Sequence, residues 1–188
     1  MKHIPTRLEG PLLLRPRSFP DDRGFFVETF RESSLQELGV SDRFVQDNHS
    51  RSSYGVIRGM HFQLDPPASK LVRCVRGAIM DVLVDLRSDS PNFGEWESYR
   101  LDDETLDVLY VPVGFAHGFC VTTEVADVVY KQSGYWSPGA DRGISVADPD
   151  IGIEWPVTAS KQRISPRDMA APLLRDVAPE SLVATFSR

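Results

Sequence analysis

The sequence predicts an all-β domain, and three observations carry that reading. Runs rich in β-branched and aromatic residues recur at roughly ten-residue spacing. Gly, Pro, Asn and Asp cut one run from the next, and only two places carry a helix-start signal. In chain order the runs span residues 12–14, 24–30, 44–49, 54–63, 70–75, 78–86, 95–101, 107–111, 119–122 and 127–131. The run 78–86 is the clearest: Met80, Val82, Val84 and Leu86 alternate against Ile79, Asp81, Leu83 and Asp85, so one face is wholly apolar and the other mixed. Many short antiparallel strands in one domain fit a sandwich or a closed barrel, since both dispose of exposed sheet edges.

The two interruptions predict short helices. Ser33 with Gln36 forms a capping-box pattern and Gly39 a stop, which places a helix over 34–38. Ser165 before Pro166 places a good N-cap ahead of a proline at the first helical position, so Arg167, Asp168 and Met169 begin a helical turn. No repeat, low-complexity tract or composition shift marks a second domain, and 188 residues at 41% hydrophobic content support one self-sufficient core over 1–188.

The net charge of −6 argues against a protein that binds nucleic acid or an anionic membrane through a basic field. No apolar run approaches the ~18–20 residues that span a bilayer, and the first residues lack the charged-then-apolar layout of a secretion signal; the expectation is a cytoplasmic protein. Cys74 and Cys120 stand singly in apolar, strand-like surroundings and match no zinc or redox spacing, which predicts buried, reduced thiols.

Three histidines carry chemical interest, His3 being expected at a frayed terminus. In Arg58-Gly-Met-His-Phe-Gln63, strand alternation puts His61 and Gln63 on the face opposite Met60 and Phe62, whether as a structural pair or as part of a site. Arg58 has the parity of Met60, and only a bulge at Gly59 would re-aim it. His117, in Val111-Pro-Val-Gly-Phe-Ala-His-Gly-Phe119, is expected in a tight turn between strands, while His49 sits among polar groups. His61 lacks the His-x-His spacing common in metal-binding barrels, because Gly59 and Gln63 flank it, so the ligand set is incomplete and no metal is expected; the alternative is iron on His61 and His117 with one further ligand. Dinucleotide, phosphate-loop and serine-hydrolase signatures are absent as well. A chemistry that needs no cofactor and suits a neutral histidine is proton removal next to a carbonyl, with a cation for the enolate and an acid to return the proton.

The same segments, in order, resemble the dTDP-4-dehydrorhamnose 3,5-epimerase family from Phe19 to Leu174. The blocks are Asp22-Arg-Gly-Phe-Phe-Val-Glu-Thr-Phe30, Phe44-Val-Gln-Asp-Asn-His-Ser50, Arg58-Gly-Met-His-Phe-Gln63, Lys70-Leu-Val-Arg73, Asp81-Val-Leu-Val-Asp-Leu-Arg87, Ser90-Pro-Asn-Phe-Gly94 and Val111-Pro-Val-Gly-Phe-Ala-His-Gly-Phe119. The resemblance implies a cupin-type jelly-roll β-barrel with a few short peripheral helices, and a homodimer in which an N-terminal strand crosses to the partner. It implies a dTDP-4-keto-6-deoxyhexose substrate and, without any cofactor, conversion of dTDP-4-dehydro-6-deoxy-D-glucose to dTDP-4-dehydro-L-rhamnose by epimerisation at C3 and C5.

By the same resemblance His61 is the base, Asp168 holds its imidazole, Tyr130 returns the proton on the opposite face, and Lys70, with Arg58 as helper, neutralises the oxyanion at C4. Phe19, Arg23, Phe26, Glu28, Gln46, Asn48, Arg58, Gln63 and His117 are expected to bind substrate, the phenylalanines against the thymine and the arginines on the diphosphate. Two departures stand out: Trp136 follows Tyr135 where many relatives carry a second tyrosine, and Met60 replaces the usual leucine. Alternatives are an enzyme that inverts one carbon only, a metal-dependent cupin oxygenase, and a non-catalytic sugar-nucleotide-binding cupin.

Overall fold

The structure is a computed structural model that describes residues 1–178 and Leu182. Among these the chain forms β1 (Lys2–Ile4), β2 (Leu12–Arg15), β3 (Ser18–Asp21), β4 (Gly24–Val27), helix α1 (Glu32–Gln36), β5 (Gln46–Ser53), β6 (Val56–Gln63), β7 (Lys70–Arg76) and β8 (Ala78–Asp85). There follow β9 (Trp96–Asp102), β10 (Val108–Val111), β11 (Phe115–Val121), β12 (Val125–Gln132), β13 (Asp141–Gly143), β14 (Arg163–Ile164) and helix α2 (Pro166–Met169). The first sheet runs β1-β2-β10-β7-β12-β5 and the second β13-β6-β11-β8-β9, with β14 joining β6 in parallel; β3 and β4 form a separate hairpin. From β5 to β13 the chain passes repeatedly between two sheets that are antiparallel apart from β14, with β8 and β9 consecutive in the second, and this makes a cupin-type jelly roll.

Period-2 alternation assigns each side chain to one of three apolar layers. Between the sheets lie Val72, Cys74, Ile79, Leu83, Leu101, Leu109, Phe119 and Val128. Outside the second sheet Ile57, Met60, Phe62, Val82, Val84 and Cys120 pack under Ile144, Val146 and Val157 of the long segment between β13 and β14. Outside the first sheet Leu14, Leu71, Val108 and Tyr110 are covered by Leu35 and Val40. Strand β8 therefore serves two layers: Ile79 and Leu83 point into the barrel, Val82 and Val84 away from it. Cys74 and Cys120 are buried free thiols, and burial pushes both up to about 11.

Four expectations need correction. His3 is part of β1, where it pairs with Leu14. Helix α1 begins two residues earlier than the capping-box pattern predicts: Arg31 is its N-cap and makes no side-chain cap bond, because burial of Leu35 on the outer layer sets the helix in place of Ser33. The strand expected from residue 44 starts at Gln46, since Phe44 packs edge-on against Phe30 at 5.9 Å outside the sheet. The segment read as a tight turn around His117 is the middle of β11; Phe115, His117, Phe119 and Val121 point inward, while Ala116 and Cys120 point outward.

Candidate active site

The site is built where β6 breaks the alternation rule. His117 of β11 pairs with His61, and Phe119, two residues on, pairs with Arg58, three residues back, so β6 holds one residue more than its partner. That is a β-bulge at Gly59 and Met60. Gly59 sits at φ +138°, a conformation that favours glycine. The extra residue lets Ile57, Met60 and Phe62 all face the outer layer while Arg58 and His61 both face the barrel.

Arg58 and His61 share a cavity of about 550 Å³ with Ser50, Lys70, His117, Tyr130, Trp136, Asp141, Arg163, Arg167 and Asp168. The second sheet contributes His61, and the first contributes Lys70 and Tyr130, so the imidazole and the phenol enter from opposite walls. A volume of this size suits a small-molecule ligand. Another cavity, of about 500 Å³, lies on the outer face of the first sheet beside Phe30, Arg73 and Lys131; His61 and Lys70 do not line it.

His61 is held by Asp168, with Nε2 to Oδ1 at 2.7 Å. Asp168 is buried and sits in the first turn of α2, whose N-cap Ser165 accepts the Asp168 backbone N–H at 3.1 Å, as the Ser-Pro pattern predicted. A carboxylate only accepts, so Nε2 carries the hydrogen and Nδ1 is left as the basic nitrogen. Burial draws the imidazole below its ordinary value, Asp168 opposes that, and Lys70 adds to it.

The half-buried Lys70 ammonium lies 6.0 Å from the centre of the Tyr130 ring and makes no ion pair among the described residues. Burial draws it down to about 8, against the pull of Asp141 and Asp81. The Tyr130 phenol is pushed up, first by burial and then by Asp141, with Arg58 opposing. It therefore stays protonated at neutral pH and can act as an acid.

Behind His61, His117 is buried and bonded through Nε2 to Asp81 Oδ2 at 2.9 Å. Asp81 is fully buried, and burial pushes it up against the attraction of His117 and Lys70. Among the described residues, no three His, Cys, Asp or Glu side chains are gathered as ligands for a metal ion.

The remaining expected residues divide. Arg58 reaches the cavity and bonds Ser52 Oγ at 3.0 Å. Gln46 and Asn48 flank Tyr130 and Gln132 on β5, with Gln46 Nε2 donating to Asn48 Oδ1 at 2.9 Å. Gln63 does not reach the cavity: its amide donates to the Pro66 and Tyr135 carbonyls and accepts from the Ser137 N–H, which pins the loop after β12.

Phe19, Arg23, Phe26 and Glu28 lie on or just after the β3–β4 hairpin, away from the His61 cavity of this chain. The Phe19 and Phe26 rings lie tilted at 36° with centres 6.5 Å apart, Arg23 pairs with Asp21, and Glu28 pairs with Arg31. The sequence reading missed Asp141, Arg163 and Arg167, which line the cavity from segments with little strand pattern.

The family model for dTDP-4-dehydrorhamnose 3,5-epimerase matches residues 5–176. A relative of that name from Methanothermobacter thermautotrophicus is 48% identical over 156 residues, 83% of this chain and 84% of the relative. A dTDP-4-dehydrorhamnose 3-epimerase from Streptomyces niveus is 38% identical over 189 residues, covering 100% of this chain and 90% of that one. The crystal structure of a dTDP-6-deoxy-D-glucose-3,5-epimerase from Legionella pneumophila, in complex with dTDP-4-keto-L-rhamnose, superposes with a TM-score of 0.96 at 40% identity and 99% coverage of both chains. With nearly its whole length matched in both sequence and fold, the chain belongs to the dTDP-4-dehydrorhamnose 3,5-epimerase family.

Proposed function

We propose that the chain converts dTDP-4-dehydro-6-deoxy-D-glucose to dTDP-4-dehydro-L-rhamnose by inverting C3 and C5. The observation that carries this reading is the meeting of an Asp168-held His61 and a protonated Tyr130 from opposite walls of one cavity. His61 takes the proton next to the C4 ketone and the electron pair moves onto the C4 oxygen. The Lys70 ammonium stabilises that enolate, an effect that reaches ~10²–10³-fold in rate where a single charge-stabilising donor is removed. Tyr130 then delivers a proton to the opposite face of the carbon. A single group removing and returning the proton would restore the starting configuration, so inversion needs both walls.

Arg58 suits the diphosphate at the cavity mouth. A homodimer supports the nucleotide end: Phe19, Phe25 and Phe26 are 47%, 58% and 70% exposed on the β3–β4 hairpin, an apolar patch that suits a second copy. In this reading an N-terminal strand crosses to the partner, and Phe19, Arg23, Phe26 and Glu28 meet the nucleotide in the partner's site, beside its Gln46 and Asn48. Among the described residues no helix is long and apolar enough to cross a membrane; a net charge of −6 and a nucleotide-sugar substrate suit a cytoplasmic location.

Incubation with the substrate in heavy water, followed by NMR, tests the reaction. Deuterium at both C3 and C5 is expected. The similarity to the Streptomyces niveus 3-epimerase favours a second reading in which one carbon alone is inverted, and label at one position selects it. Absence of label at both carbons sinks both readings.

A further inference from the structure

Helix α2 carries Asp168, yet it has four residues and little means of holding itself in place. Its backbone is tied to the barrel upstream by β14 on β6 and downstream by Ser145 N–H to the Pro172 carbonyl. Of its own side chains, Met169 is exposed, and two make bonds to the barrel among the described residues: Asp168 to His61 and Arg167 to Asp141, the latter at 2.7 Å.

These adjacent residues grip adjacent strands. Asp141 is on β13, and β13 pairs with β6 so that Gly143 faces His61 and Asp141 faces Gln63. The Asp141 oxygen that accepts from Arg167, Oδ2, also accepts the Trp136 indole N–H, at 3.1 Å. The Trp136 backbone N–H donates in turn to Gln46 Oε1 at 2.9 Å, which joins the loop to β5 of the other sheet. The result is a strap across the cavity mouth: Gln46, Trp136, Asp141, Arg167.

We propose that the Arg167–Asp141 ion pair, braced by Trp136, is a positioning device that keeps the Asp168 carboxylate on the His61 imidazole. This rests on His61 being the base. The Arg167 side chain is 59% exposed, so the pair contributes little to global stability. Its consequence lies in placement: without it α2 pivots between its two backbone ties, Asp168 leaves Nε2, and His61 loses the partner that fixes its tautomer and ring orientation. Loss of a group that orients a reactive side chain lowers activity by about 10–100-fold.

The test combines turnover with a readout that needs no substrate. Arg167→Ala and Asp141→Asn are expected to lower kcat about 10–100-fold with KM and thermal midpoint near those of the wild type. Trp136→Phe, which removes the indole N–H alone, shows a smaller loss in the same direction, and Arg167→Lys recovers most of the Arg167→Ala loss. In an Asp168→Ala background Arg167→Ala costs nothing further, because it acts through Asp168. In the free enzyme the His61 Nε2–H proton resonance broadens into solvent exchange in Arg167→Ala and returns in Arg167→Lys.

Four results would overturn the proposal: an equal loss in both backgrounds, an undiminished proton resonance in Arg167→Ala, a raised KM at unchanged kcat, which makes Arg167 a substrate contact, or failure to fold, which makes the pair structural. If the wild type exchanges no deuterium at all, the epimerase reading fails, and the resonance still decides whether Arg167 positions Asp168.

Discussion

Gly59 and Gly118 meet so closely across β6 and β11 that a methyl group on Gly59 would stand 2.6 Å from the Gly118 Cα. This contact is where the bulge turns Arg58 and His61 onto one face. A Cβ on Gly118 would in turn lie 2.5 Å from the Met60 Sδ and 2.8 Å from the Arg58 carbonyl oxygen. Gly59→Ala faces both a positive φ and a collision with backbone, so it is expected to cost about 2–4 kcal/mol of stability in urea unfolding. Whatever remains folded should be inactive, since the bulge is what brings Arg58 beside His61. A variant with wild-type stability and turnover would show that the close contact is dispensable.

The protonation states of His61 and Lys70 predict a bell-shaped profile for kcat/KM. His61 must be neutral to accept a proton, and burial holds it below its ordinary 6.5, so the acid limb falls below that pH. Lys70 must be charged, and with its ammonium drawn down to about 8 the rate declines as pH rises through that value. Lys70→Arg keeps the charge at every accessible pH and should shift the alkaline limb upward, though with a lower maximum because the guanidinium is larger. An alkaline limb unmoved in Lys70→Arg would assign it to another group.

His61 and Tyr130 separate by isotope experiment. His61→Ala should abolish deuterium entry at both carbons, whereas Tyr130→Phe should leave some exchange with little inversion. The first removes the base, and the second removes only the acid on the far wall. Epimerisation at the wild-type rate in either variant removes that residue from the mechanism.

Asp127 gives a prediction about stability. Its buried carboxylate accepts two bonds from Arg51, at 2.7 and 2.8 Å, and lies 3.5 Å from His49. The Arg51 bonds first, and His49 after them, hold it down at about 2, against an ordinary 3.8. A carboxyl group depressed on folding stabilises fully above its unfolded value and loses that contribution as pH falls through the folded one. Asp127→Asn should therefore melt below the wild type at pH 6, with the difference shrinking between pH 4 and pH 2. A difference that stays constant over that range would point to packing as its cause.

Much of the barrel was legible because its strands obey simple alternation. Residues 78–86 announced their two faces, and His61 was correctly set against Met60 and Phe62. Seven of the ten β-branched and aromatic runs match a strand to within two residues at both ends, while β4, β5 and β11 differ by three or four at one end. Ser165 and Pro166 marked α2 because cap and proline are local signals.

What failed was set by distant contacts. Glycines around His117 suggested a turn, yet Gly118 is there to let β11 pass close to the β6 bulge within a strand. Ser33 and Gln36 formed a pattern that burial of Leu35 overrode. Gln63 had the right parity for the site, but its amide is spent on the loop that follows β12. Asp141 and Arg167 are 26 residues apart in irregular segments, and no periodicity connects them.

The division of labour along β8 has a consequence for how this enzyme can change. Its odd positions, Ile79, Asp81 and Leu83, point into the barrel, where Asp81 holds the cavity residue His117, while Val82 and Val84 anchor the apolar layer outside the second sheet. Substitutions at one parity can thus reshape the reaction chamber while those at the other preserve the scaffold. A change at Asp81 is therefore felt in the cavity through His117, while the outward residues of the same strand go on holding the scaffold.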